Sequence, residues 1–247
     1  MDYSFVRGRV EAIRERIEAA ALRAGRSASA IELLVVTKFH PIEAAIAAFD
    51  AGLTVFGESR VQEAEAKYPD FLAARPTARL DMIGHIQSNK AKKALAIFSR
   101  LQSVDSAELI VQLDRRAREA ELKREILLEL HTGEASKEGF RGADELYRAL
   151  ESLLSIEDRR LEPRGLMTMA PALAAPGSGV ADEAAVRSSF GILRATLDGV
   201  RSRFGADLGG KGFDILSMGM SGDFELAVEE GSTLLRIGTA LFGMRAA

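Results

Sequence analysis

"IELLVVTKFHP" (residues 31–41) runs from four consecutive aliphatic residues, Leu33 to Val36, straight into Thr37 and Lys38. A short apolar run with polar ends is a buried strand, covered on both faces as in a parallel sheet. A lysine at its tip has two readings. It is either the strand's exit into solvent or a cation placed where the strand ends inside the molecule. The neighbouring segments have to decide between them.

Seven more such runs follow: 53–58, 80–85, 100–105, 125–130, 162–169, 213–220 and 233–238. Between them lie helical patterns near 41–51, 60–74, 88–98, 106–121, 142–155, 182–204 and 223–230. Alternating strands and helices pair in parallel, because each crossover helix returns the chain to the same end of the sheet. Eight such strands predict an α/β fold, a single (β/α)8 TIM barrel spanning residues 1–247. After the eighth strand only "TALFGMRAA" (239–247) remains, too little for a good crossover helix. A spare helix stands before the first strand. Phe5, Val6, Val10, Ile13, Ile17, Ala20 and Ala21 recur at steps of three and four, and Gly25 stops the pattern. This extra N-terminal helix is expected over 3–24, outside the barrel between the first and eighth strands. "APALAAPGSG" (170–179) reads as a mobile loop after the sixth strand.

The chain is 47% hydrophobic and 28% charged, with a net charge of -3 and no cysteine. That composition excludes disulfides, a thiolate nucleophile and cysteine-ligated metal, and it gives no basic face for nucleic acid. No apolar run reaches transmembrane length. The N-terminus is too charged for a signal peptide and too acidic for a transit peptide, so a cytoplasmic location is expected. His40, His85 and His131 are scattered without metal-ligand spacing. His85 reads as a hydrogen-bonded structural histidine, and Ser88 as the cap of the helix that follows.

In such barrels the active site lies at the C-terminal ends of the strands. Small and polar residues collect there, while the strand interiors read as apolar. Ser221 and Gly222 precede a short helix, and Gly238 and Thr239 follow Arg236 at the end of the eighth strand. Glycines let backbone approach an anion closely, and hydroxyls donate to it. The same Ser221 reads equally as a helix N-cap, and Gly238 as a turn glycine. Closure would set Lys38 across the mouth from this corner. A buried lysine has a lowered pKa, which frees its amine for a Schiff base. Lysine plus a phosphate pocket fits pyridoxal 5′-phosphate (PLP), and fits a sugar-phosphate aldolase as well.

The stretches "VVTKFHP" (35–41), "FGESRVQEA" (56–64), "MIGHIQSNKAK" (82–92), "LQSVDS" (101–106), "GLMTMAP" (165–171) and "LSMGMSGDFELAVEEGSTLLRIGTALFG" (216–243) resemble the PLP homeostasis protein family. The barrel of that family is similar to the N-terminal domain of alanine racemases. The resemblance implies Lys38 as the Schiff-base lysine holding PLP as an internal aldimine. It also implies Ser221, Gly238 and Thr239 on the phosphate and Arg236 at the pyridine nitrogen; Ser59 is read as still able to donate one hydrogen bond to the cofactor, and Met218, with Met167, Met169 and Met220, as mostly core and partly under the ring. The chain departs from the family pattern at Ser59, where Asn is usual, and at His131, where the fifth strand end usually has Asn before Thr.

An arginine at the ring nitrogen stays charged and cannot take up that nitrogen's proton, so carbanion stabilisation there is weak. Racemisation needs an acid or base on each face of the α-carbon. Lys38 serves one; Tyr3, Tyr68 and Tyr147 fall in helical segments, none at a strand tip. The expectation is therefore a monomeric PLP carrier with no catalytic residues, one that hands PLP to apoenzymes. The alternatives are a weak or narrow amino-acid racemase and a Schiff-base lyase independent of PLP.

Overall fold

A computed structural model describes residues 2–133, 139–173, 182–208 and 212–243. Its eight parallel strands close in sequence order, each hydrogen-bonded to the next and the last to the first. They are β1 (Glu32–Val36), β2 (Val55–Glu58), β3 (Arg79–Met82), β4 (Arg100–Val104), β5 (Arg124–Glu129), β6 (Leu161–Met167), β7 (Ile215–Ser217) and β8 (Leu234–Ile237). The closing register pairs Glu32 with Leu234 and Leu34 with Arg236. The helices are α1 (Val6–Arg23), α2 (Ile42–Asp50), α3 (Val61–Lys67), α4 (Pro69–Ala74), α5 (Ala91–Ile97), α6 (Ala107–Glu119), α7 (Ala143–Leu154), α8 (Glu183–Phe204), α9 (Phe224–Glu229) and α10 (Thr239–Phe242). All eight expected strands are present. Residues 174–179 of the expected loop lie outside the described residues.

The spare helix does what its pattern requires. Val6, Val10, Ile13, Ile17, Ala20 and Ala21 are its buried residues, and each large one is worth about 1.5–3 kcal/mol once removed from water. They pack α1 against α9, α10 and α2, the elements flanking the seam between β8 and β1. Arg16 pairs with Glu225, and Arg23 with Glu229, across the α1–α9 contact. Tyr3 and Phe5 stand outside the helix, which begins at Val6.

Local chemistry sets the other boundaries. Pro69 opens α4 directly after Tyr68 and so splits the single helix expected over 60–74; proline at a first helical position forfeits no bond. Ser106 and Asp182 cap α6 and α8 through side-chain oxygens that accept from Leu109 and Ala185 backbone N–H groups. Ser88 caps nothing. It begins a tight turn, Ser88–Lys90, that leads into α5 without a side-chain cap.

The strands do not have uniformly apolar interiors. Their outward residues, among them Val35, Phe56, Leu80, Leu101, Ile126 and Leu235, join one large apolar cluster with the helices. Inward residues divide. Leu34, Val55 and Leu234 form a separate small cluster with Val36, Ile83 and Ile215. Elsewhere the lumen is polar. Arg100 of β4 reaches Glu32 of β1 at 3.2 Å, and Gln102 of β4 accepts from Ser217 of β7 at 2.6 Å. These strands are not neighbours, so both contacts cross the lumen. Asp81 joins them, bound by Arg100 at 2.8 Å and by Gln102 at 2.7 Å. Burial works to push the Asp81 carboxyl up, against the pull of Arg100 and Arg79. Burial likewise opposes the charge on Arg100, but Asp81 and Glu32 outweigh it and hold the guanidinium protonated.

Candidate functional site

The residues singled out from the sequence stand at one end of this barrel. Alternation along β1 puts Leu34 and Val36 on the lumen side and Val35 on the helix side. Thr37 extends the pairing, donating its N–H to Gly57 O at 3.2 Å. Lys38 follows in the turn just past the strand, at the C-terminal mouth of the barrel. The residue is half-buried.

Ser221, Gly238 and Thr239 converge. Ser221 does not cap α9, whose N-cap is Asp223; its Oγ instead accepts from the Ala240 N–H at 3.0 Å. That bond ties the loop after β7 to the start of α10, where Gly238 is the N-cap and Thr239 the first residue. Gly238 packs closely on β1. A Cβ there would lie 3.2 Å from both Val36 Cβ and Val36 O. The corner is thereby seated directly on β1, two residues before Lys38. Backbone N–H groups at a helix start have no carbonyl of their own helix to bond.

Arg236 lies deeper, buried in the lumen. It donates to Ser217 O at 2.8 Å, Ser217 Oγ at 2.7 Å and Thr168 O at 2.8 Å. Its guanidinium is thus fixed by β6 and β7, and through Ser217 it is continuous with Gln102, Asp81 and Arg100. Met218 is wholly buried in the large apolar cluster, and its carbonyl accepts from Ser232 Oγ at 2.8 Å. Ser59 is half-buried beyond β2, packed on Gly84, where a Cβ would meet Ser59 O at 2.4 Å. It also lines a cavity of about 320 Å³ with Arg60, Gln62, His85 and Lys90. His85 is half exposed and pairs with Asp105 at 3.3 Å. Residues 134–138 of the fifth strand's loop lie outside the described residues.

A group of residues behind β1 escaped the sequence reading. Glu58 ends β2 on its helix side and is fully buried. Its Oε1 lies 2.5 Å from Lys67 Nζ and accepts from Thr37 Oγ1 at 2.6 Å. Tyr68 OH shares a 2.6 Å hydrogen bond with the same Thr37 hydroxyl, so this tyrosine does reach the tip of a strand, from behind. Burial pushes the Tyr68 phenol far up, leaving it neutral. The sequence signal was a charged residue, Glu58, in the outward register of Phe56, where an apolar residue belongs.

The structure is thus a closed parallel eight-stranded barrel with a lysine just past its first strand and a hydroxyl-and-glycine corner after its seventh and eighth. The chain belongs to the alanine racemase N-terminal domain family, which matches residues 9–246. Within it, the chain groups with the pyridoxal phosphate homeostasis proteins. It is 35% identical to the protein of that name from Vibrio alginolyticus over 98% of both chains. It is 37% identical to the one from Escherichia coli K12 over 94% of both. The solved structure of PipY from Synechococcus elongatus with PLP bound is 34% identical, with a TM-score of 0.73 over 94% of this chain and 100% of that one. Among the described residues, no helix is long and apolar enough to cross a membrane.

Proposed function

We propose that this chain is a PLP carrier that holds the cofactor through a Schiff base at Lys38 and hands it to apoenzymes, working as a cytoplasmic monomer. The observation that carries the reading is the seat of Gly238 on Val36, which brings the corner of Ser221, Gly238 and Thr239 alongside the strand that leads into Lys38. The residues fit the group. Ser221, Gly238 and Thr239 would hold the phosphate with a hydroxyl and helix-start N–H groups. Arg236 would face the ring nitrogen; being permanently charged, it donates there and takes up no proton. Ser59 would add a polar contact, and Met218 would pack beneath the ring from the core. Bound there, the cofactor supplies an electrophilic aldehyde carbon. Lys38 would be the residue that holds the cofactor covalently at that carbon through its amine.

Carriage is favoured over racemisation by the position of Tyr68, which is bonded to Thr37 on the outer side of β1 and buried away from the mouth. The test is reconstitution with PLP, borohydride reduction and mass mapping, beside chiral analysis of enantiopure amino acids. A visible band and a single modified site at Lys38, both lost in Lys38→Ala, are expected, with no loss of enantiopurity. Covalent trapping that survives Lys38→Ala, or steady racemisation, would overturn the reading.

A further inference from the structure

The turn that carries Lys38 is built in an unfavourable conformation. Phe39 has φ +65°, in the left-handed region that a bulky L residue rarely adopts. Its side chain is 47% exposed, so burial of the ring does not account for the geometry. Something else must hold the backbone there, and the contacts around the turn show what does. The Phe39 N–H donates to Glu63 Oε1 at 2.6 Å. Lys67 Nζ donates to Thr37 O and to His40 O, both at 2.9 Å, so one ammonium grips the carbonyls on either side of Lys38 and Phe39. That ammonium is nearly buried, with a side-chain exposure of 8%, and is held by Glu58 at 2.5 Å and Glu63 at 3.3 Å. Glu58 and Tyr68 in turn fix the Thr37 hydroxyl.

A buried ion pair is weak as a source of stability, because desolvation offsets much of its attraction. What this one has is direction. It lies on the helix side of β1, and it fixes the backbone of the residues flanking Lys38. We infer that Glu58, Lys67 and Glu63 form a clamp that aims Lys38 by holding Phe39 in its left-handed conformation. These are positioning residues, and the inference rests on Lys38 being the residue that links to PLP. The clamp acts on the rate of covalent attachment; the phosphate corner meets β1 only at Val36, which the strand ladder itself holds through its pairing with Gly57.

Lys67→Met alone would leave the Glu58 carboxylate buried without its cation, so the test uses the pair Glu58→Gln/Lys67→Met, with and without Phe39→Gly. Three quantities are measured on each folded variant: thermal stability, affinity for pyridoxine 5′-phosphate, and the rate at which PLP becomes fixable by borohydride. Pyridoxine 5′-phosphate has the phosphate and ring but no aldehyde. The pair variant should attach PLP at least about tenfold more slowly, since small misplacements of a reacting group carry penalties of that size. Its affinity for the alcohol analogue should fall by clearly less than that, since the analogue forms no bond to Lys38. Adding Phe39→Gly should restore much of the rate, because glycine adopts a positive φ without a clamp. A purely structural role would not be rescued by that change. Attachment at the wild-type rate in the pair variant, or no recovery with glycine, overturns the inference while Lys38→Ala still abolishes trapping. If Lys38→Ala continues to trap PLP, the functional reading and the clamp fall together.

Discussion

Arg100 and Leu101 are adjacent on β4 and face opposite ways. Leu101 lies in a continuous apolar shell beneath the helices, and Arg100 in a charged lattice that crosses the lumen to Glu32. The same division runs round much of the barrel. The shell is held by area and shape, which tolerate exchange among residues of similar volume. The lattice is held by direction, with each donor aimed at a particular acceptor, and it leads through Gln102 and Ser217 to Arg236. Stability is thus concentrated in a part of the molecule that recognises nothing, while the part that orders the site adds little net stability of its own.

The hardest test of this division is to cut the lattice. Arg100→Ala leaves Asp81 and Glu32 short of a cation and is expected to cost about 3–5 kcal/mol by chemical denaturation. Removing both partners, as Asp81→Leu/Arg100→Met, should cost far less than that single change, because Arg79 retains Glu32 at 2.6 Å and no carboxylate is stranded. In that double variant the fold should persist while Gln102 and the Ser217 hydroxyl lose their orientation, which loosens one of the three bonds to Arg236. The absorption band of bound PLP would report this loss, and an unshifted band would break the comparison.

One position along, Leu101→Ala removes an outward side chain and is expected to cost about 3 kcal/mol, mostly as a cavity. Here the band should not move, since Leu101 packs toward the helices and takes no part in the lattice that leads to Arg236. Gly238→Ala asks the question at the mouth. Its Cβ presses on Val36 at 3.2 Å and should displace the corner, weakening PLP retention about tenfold, or about 1.4 kcal/mol, in equilibrium dialysis.

The smallest effect lies outside both regions, along the α1–α9 seam. The Arg16 guanidinium holds Glu225 below its ordinary value of 4.5, and Arg187 with Arg23 does the same for Glu229. Folded values below unfolded ones mean stability that is complete above about pH 4.5 and lost as pH falls through the depressed values. Hydrogen exchange of α1 should therefore quicken on acidification before that of β4, although only slightly, because these pairs are largely exposed and screened.

The shell was the legible part. Hydrophobic runs and three-to-four spacing located every strand and the closing helix, because burial against helices writes a period into the sequence. Ser221, Gly238 and Thr239 read equally as caps and turns when taken alone, and only the family resemblance drew them together as a corner. The lattice was not legible. Arg79, Asp81, Arg100 and Gln102 each alternate with apolar neighbours, as on a strand with one wet face. Only closure turns that face inward and joins β4 to β1 and β7. Glu58 and Lys67 were hidden for a related reason, since their partner is the backbone of a turn, and a carbonyl has no letter in the sequence.

The pairing of Glu32 with Leu234 also bears on how the molecule comes into being. Its two sides are made roughly two hundred positions apart, and joining them carries a loop-closure entropy that local contacts cannot offset in advance. During vectorial synthesis β1 emerges early, with Lys38 already at its tip, and waits through the whole production of the other seven strands. Gly238 has no Val36 to rest on until the last of them docks. A nascent or truncated chain therefore carries the amine without the corner that would bring an anion to it. Competence to take up a phosphate-bearing aldehyde arises in one late step, together with the completed barrel.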